Sequence, residues 1–192
     1  MLWIKARRAH TLLPAVLAAF TLLVTFVQDT SVYLPSFGGA AHVALALFIP
    51  VPLVAGLMLC LESRLPAAEI SGVRRISLLD AALTVATMVT AIVCALTVDA
   101  LLDVPLAAAT GRNTLFLTGL MLCGRALLGQ PGVMIPVAWL FLVVLAGFRS
   151  SNDPYPWTIV PEPPGAPHAA LGAVLVFTLG ILVQLRTPRK LP

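Results

Sequence analysis

LDAALTVATMVTAIVCALTV, residues 79–98, carries a single charged side chain, Asp80. At a rise of 1.5 Å per residue, about 20 helical residues cover roughly 30 Å, the depth of a bilayer's hydrocarbon core. The rest of the 192-residue chain has the same character, with 59% apolar and 10% charged residues. An ordinary soluble domain is about 25% charged, so this chain cannot bury its apolar side chains and keep a solvated skin. Similar runs recur at about 11–27, 41–61, 113–128, 133–148 and 169–185. The reading is an all-α polytopic membrane protein, one transmembrane domain over 1–192 with six spans. A secreted disulfide scaffold, a nucleic-acid binder and a disordered tail are excluded.

The segments between the runs set the expected orientation. Lys5, Arg7, Arg8, Arg64, Arg74, Arg75, Arg125, Arg186, Arg189 and Lys190 fall on one side, and Arg112 and Arg149 on the other. Basic residues collect on the cytoplasmic side of membrane proteins, which predicts both termini inside a cell (plasma) membrane. The net charge of +4 then describes an inner rim facing anionic headgroups. Trp3 with Lys5, Arg7 and Arg8 suits a short interfacial helix before a retained first span. The stretch from Asp29 to Ala40, with Pro35, Gly38 and Gly39, reads as a turn-rich loop.

Catalytic and nucleotide-binding patterns are missing from the sequence. No Asp or Glu lies near the centre of a predicted span, whereas ion-driven carriers and intramembrane enzymes keep such groups at depth. The two lysines, Lys5 and Lys190, belong to no G-x-x-x-x-G-K-[ST] loop. Cys60, Cys94 and Cys123 form no CxxC pair, and His42 and His168 fall at outer span ends, where polar anchoring is expected. The chain is therefore expected to be no enzyme, and to hold neither metal nor cofactor.

A few polar positions stand out. The inner segment ESRLPAAEISGVRRISLLD, 62–80, mixes charge with Leu65, Ile70, Val73 and Ile76, read as sharing one helical face, and predicts an interfacial helix over about 62–78. Arg125 lies one turn inside the end of span four; it can snorkel to the surface or pair with Asp80 or Glu62. Arg112 and Asn113 lie at the surface if span four begins near Asn113, and inside the bundle if it begins near Pro105. Pro50 and Pro52 in span two and Pro136 in span five each remove a helix hydrogen bond and predict kinks. Ala82 with Ala86, and Ala91 with Ala95, give span three a close-packing stripe. The proline-rich outer segment 149–168 carries Tyr155 and Trp157, which suit a cap or gate at headgroup level.

Six spans with both ends inside, a charged inner helix after span two, and GRNTLFLTGLMLCGRALLG at 111–129 before a proline-containing span and a Trp-Pro-rich outer loop form one pattern. It resembles the membrane half of an ABC exporter of the ABC-2 type, and is similar to small actinobacterial permease-like proteins. The chain is shorter than a usual member. The resemblance implies a permease subunit that pairs with a second copy or homologue and docks ABC ATPase chains. Glu62, Arg64, Glu69, Arg74 and Arg75 would carry the docking, and ATP would be bound and hydrolysed on the partner. Arg112, Asn113, Arg125 and Asp80 would tune a path or lock the bundle, and Tyr155 and Trp157 would form an outer gate. The alternative is a non-transporting accessory, immunity or sensor protein that works by binding partners in the bilayer.

Overall fold

A computed structural model describes residues 9–27, 30–37, 39–63, 76–150 and 153–186. Among the described residues there are six α-helices, and about 80% of those residues are helical. Helix α1 is Ala9–Val27, α2 Pro50–Glu62, α3 Ile76–Leu102, α4 Pro105–Leu128, α5 Met134–Ala146 and α6 Pro167–Arg186. Strands β1 (Ser31–Ser36) and β2 (Gly39–Ala44) form an antiparallel hairpin, with Tyr33 opposite His42. Strands β3 (Phe148–Ser150) and β4 (Asp153–Pro154) form a second, shorter one. Short 3-10 turns lie at Leu45–Phe48, Gln130–Val133 and Pro156–Thr158.

Among the described residues, four segments are long and apolar enough to cross a membrane: Ala9–Val27, Leu45–Glu62, Ser77–Leu102 and Pro167–Arg186. Helix α4 is long enough, but Arg112, Asn113 and Arg125 make it more polar than its neighbours. The stretch Gln130–Ala146, which contains α5, is apolar but shorter.

The least apolar helix is the central one. Helix α4 packs against α6, α3, α2 and α5. Its buried positions include Thr110, Asn113, Thr114 and Thr118, whereas only Ala169, Ala173 and Gly180 are buried along α6. Conversely Val85, Val89, Val93 and Leu96 of α3 and Leu171, Leu175 and Leu179 of α6 face outward. Exposed apolar faces of this extent around a polar centre fit lipid surroundings and not water. The threonines suit this because each hydroxyl donates to the carbonyl four residues back, as in Thr84 to Asp80 and Thr114 to Thr110. Thr118 instead donates to the Met88 sulfur of α3 at 3.1 Å.

Small residues bring the helices together. A Cβ on Gly119 would stand 2.6 Å from the α6 backbone at Val176 and Phe177, and one on Gly111 3.2 Å from the Ala95 Cβ. Such close approach lets van der Waals contact hold helices together where lipid removes the hydrophobic drive. Of the predicted alanine stripe, Ala91 and Ala95 are buried, but Ala82 and Ala86 lie on the exposed face. The turn into α4 is closed by Asp103 in a left-handed conformation, with φ of 55°.

Several element boundaries differ from the sequence expectation. The predicted loop before residue 41 and the start of predicted span two are the β1–β2 hairpin, so the helix begins later. Pro50 does not kink that helix but opens it at its first turn, where the missing N–H has no helical partner to lose. Pro136 likewise sits in the first turn of α5 and leaves that helix unbroken. Span three extends to 76–102 and α4 starts at Pro105, not Asn113. Helix α5 stops at Ala146, so Phe148 belongs to β3 and not to span five. Most of the predicted interfacial helix over 62–78, with Arg64, Glu69, Arg74 and Arg75, lies outside the described residues, as do Trp3, Lys5, Arg7 and Arg8.

Candidate functional site

Two polar locks sit at opposite ends of α4. At the end carrying both hairpins, Arg112 sits two turns inside the helix, under the segment that follows β4. Its guanidinium donates to the carbonyl oxygens of Glu162 at 2.7 Å, Pro163 at 2.9 Å and Ile159 at 3.2 Å, with a longer contact to Val160 at 3.4 Å. It also donates to Asn113 Oδ1, from Nε and from one terminal nitrogen, both at 3.2 Å. Asn113 is fully enclosed, and its Nδ2 donates to the Val160 carbonyl at 2.8 Å. A planar guanidinium with five N–H donors matches such a row of carbonyls, where a single ammonium would not. Arg112 is therefore a rivet between α4 and the segment.

The riveted segment has a tight fold of its own. Val160 N–H donates to the Thr158 carbonyl at 2.6 Å, closing a three-residue turn around Ile159 at φ of 59° and ψ of −52°. A β-branched residue is strained there. The Ile159 carbonyl is held by Arg112, and its side chain fits against Gly172 of α6, where a Cβ would stand 2.8 Å away. Glu162 also faces His168 in the first turn of α6, at 3.6 Å. His42 instead bonds Ser31 Oγ at 2.7 Å and packs on Tyr33.

Between the β1–β2 hairpin, the start of α4 and this segment lies a cavity of about 160 Å³. His42, Thr110, Asn113, Phe148, Val160 and Glu162 are among its walls. Beside it, ring contacts run from α4 to the surface. Phe116 meets Trp139 of α5 at 5.6 Å, Trp139 meets Trp157 edge-on at 5.9 Å, and Trp157 stacks with Tyr155 at 6.4 Å. The Arg149 guanidinium covers the Tyr155 ring at 4.8 Å. Tyr155 and Trp157 thus belong to one aromatic column that roots the segment in α5.

At the other end, Arg125 Nε donates to Glu62 Oε1 at 2.6 Å, and a terminal nitrogen donates to the Leu61 carbonyl at 3.1 Å. The pair joins the last turn of α4 to the last turn of α2. Both side chains are largely enclosed, at 10% and 19% exposure, so this arginine is paired and does not snorkel. Asp80 is fully buried near the start of α3. Removing one partner of an enclosed ion pair costs about 3 kcal/mol, because the other charge is left behind. Arg125→Glu and Glu62→Arg singly are expected to lower the unfolding temperature in detergent, and the double exchange to restore most of it. Equal losses in all three variants would refute the pairing.

Apart from the neighbouring Asn113 Oδ1, the acceptors of Arg112 are backbone carbonyls more than 45 residues away, which residue types alone do not announce. The cysteines are free. Among the described residues no group of three or more His, Cys, Asp or Glu could hold a metal ion. No family model, no curated protein and no solved structure matches the chain.

Proposed function

We propose that this chain is the membrane subunit of an ATP-driven exporter of the ABC-2 type, with six spans and both termini inside the plasma membrane. ATP is bound and hydrolysed by separate ATPase chains that dock on the segment following α2, through Glu62, Arg64, Glu69, Arg74 and Arg75. A second copy or homologue completes the conduit. The chain itself carries out no chemistry and needs no cofactor of its own.

The observation that carries this reading is the fastening of α4 at both ends. Glu62, where the docking segment begins, is bonded to Arg125 of α4. Thirteen residues earlier on the same helix, Arg112 holds the segment that caps the opposite end. Displacement at the docking side is thereby passed along one rigid rod to the outer cap. The centre of the bundle is filled by close contacts such as Gly119 against α6, which favours a path between chains and not within one.

A second reading has support of its own. The outward faces of α3 and α6 are apolar, and their exposed threonines Thr90, Thr97 and Thr178 donate to their own helices. A wall lining a polar cargo path would be wetter. That favours an accessory, immunity or sensor protein in which the same rod relays a signal without transport.

Purification in mild detergent separates the two. The exporter reading expects an ATPase to co-purify with a dimer, and Arg74→Glu with Arg75→Glu to abolish ATPase stimulation while insertion is retained. A monomer without an ATPase overturns it.

A further inference from the structure

Helix α5 is too short to reach both faces of a bilayer. Its 13 residues, Met134–Ala146, rise about 20 Å against a hydrocarbon core of about 30 Å. One end of α5 therefore lies at membrane depth, where unpaired carbonyls are costly and must be satisfied by protein. The structure satisfies them at the end facing the hairpins. The Leu145 carbonyl accepts Phe37 N–H at 2.8 Å and Ser36 Oγ at 3.0 Å, and the Gly147 carbonyl accepts Tyr155 N–H at 2.9 Å. The β1–β2 hairpin is thus fixed at the depth of a helix end.

Strand β1 alternates strictly. Val32, Leu34 and Ser36 face the bundle, and Ser31, Tyr33, Pro35 and Phe37 face away. Phe37 is 86% and Tyr33 72% exposed, so the outward face of β1 carries two large aromatic side chains. Large aromatic side chains left this exposed are unsuited to water, and amphipathic aromatics concentrate at the bilayer boundary. Trp157, which rests on Trp139 of α5, lies over the same short helix.

We propose that the β1–β2 hairpin is a bilayer-contacting element that makes up the missing apolar depth over α5, with Tyr33 and Phe37 seated at the boundary between acyl chains and headgroups. The occupant of this face is lipid. The inference rests on the membrane residence of the helices but not on transport.

The test is site-directed spin labelling in phosphatidylcholine vesicles, after Cys60→Ala, Cys94→Ala and Cys123→Ala. Labels are placed through Phe37→Cys and, on the exposed face of α3, Val89→Cys. Both are expected to collide more with dissolved oxygen than with a water-soluble nickel complex, Val89 more strongly so. A label at 37 that favours nickel while the label at 89 favours oxygen overturns the proposal. Nickel preference at both positions overturns the membrane reading itself. Should the cysteine-free chain fail to fold, Phe37→p-benzoylphenylalanine in the otherwise native chain gives the second readout. Photo-crosslinking to lipid is expected, and crosslinking to a second chain or to neither refutes the assignment.

Discussion

Replacing Arg112 with methionine is expected to free the segment from Ile159 to Pro163 while leaving the helices paired. Methionine keeps an unbranched apolar stem but supplies no donor. The carbonyls of Ile159, Glu162 and Pro163 then lose their partner. Each enclosed acceptor left without a donor costs about 1–3 kcal/mol. The Pro163 carbonyl is exposed and water can replace its donor, so taking the lower figure for the two part-buried carbonyls, of Ile159 and Glu162, the closed cap is weakened by about 2 kcal/mol, roughly thirtyfold in its open population. Ile159, strained at positive φ, adds to the drive to open. The readouts are protease cleavage within 148–166 in reconstituted vesicles and the emission of Trp157, which should shift to the red as it leaves Trp139. Arg112→Lys should fall between, since one ammonium cannot span the row. Cleavage and emission unchanged from the native chain would show that the arginine does not hold the cap.

The same residue shows where the sequence stops being informative. Hydropathy scores Arg112 and Asn113 identically whether they end a helix at the surface or sit inside one. The deciding fact is what lies above them, and that is set by the return of a segment about 50 residues later. Apolar runs, by contrast, announce their helices because burial in lipid demands a fixed length of unbroken apolar chain. The six helices accordingly fall close to the runs, with errors at the prolines. Pro50 reads as a kink inside a continuous run, yet a strand and a 3-10 turn precede it, and its fixed φ suits a helix start. The hairpin before it carried half a signal: Gly38–Gly39 follow the β-prone Val32–Tyr33–Leu34, but the second strand, GAAHVA, is rich in alanine, a poor strand former. Pro35 masked that signal, although an edge strand tolerates proline.

Helix faces were harder to read than helix lengths. Ala82 and Ala86 have the same four-residue spacing as Ala91 and Ala95, but only the second pair meets a neighbour. Spacing marks a face able to pack closely, and the partner helix decides which face is used. Arg125 is a middle case. Its depth matched that of Glu62 and Asp80, so pairing was readable as an option, and the geometry selects Glu62.

The α4–α6 contact leads to the second large effect, at Gly119. A Cβ there would stand 2.6 Å from the backbone of Val176 and Phe177, and one on Gly180 2.8 Å from the Gly119 carbonyl oxygen. Overpacking costs about 1–3 kcal/mol when side chains can yield. Here the obstacle is main chain, so Gly119→Ala should sit at the upper end, and Gly119→Leu should force the helices apart. Gly180→Ala should resemble Gly119→Ala, whereas Gly165→Ala, with nothing within 4 Å of its added Cβ, should be neutral. Thermal unfolding in detergent, followed by tryptophan emission, measures all four. If Gly119→Ala were as stable as Gly165→Ala, the close crossing could not be what joins the two helices. The consequence also reaches the cap, because α6 carries Gly172, against which Ile159 is seated. Spreading α4 from α6 should therefore open the segment held by Arg112 even though that arginine is intact, so Gly119→Leu should reproduce the protease sensitivity of Arg112→Met.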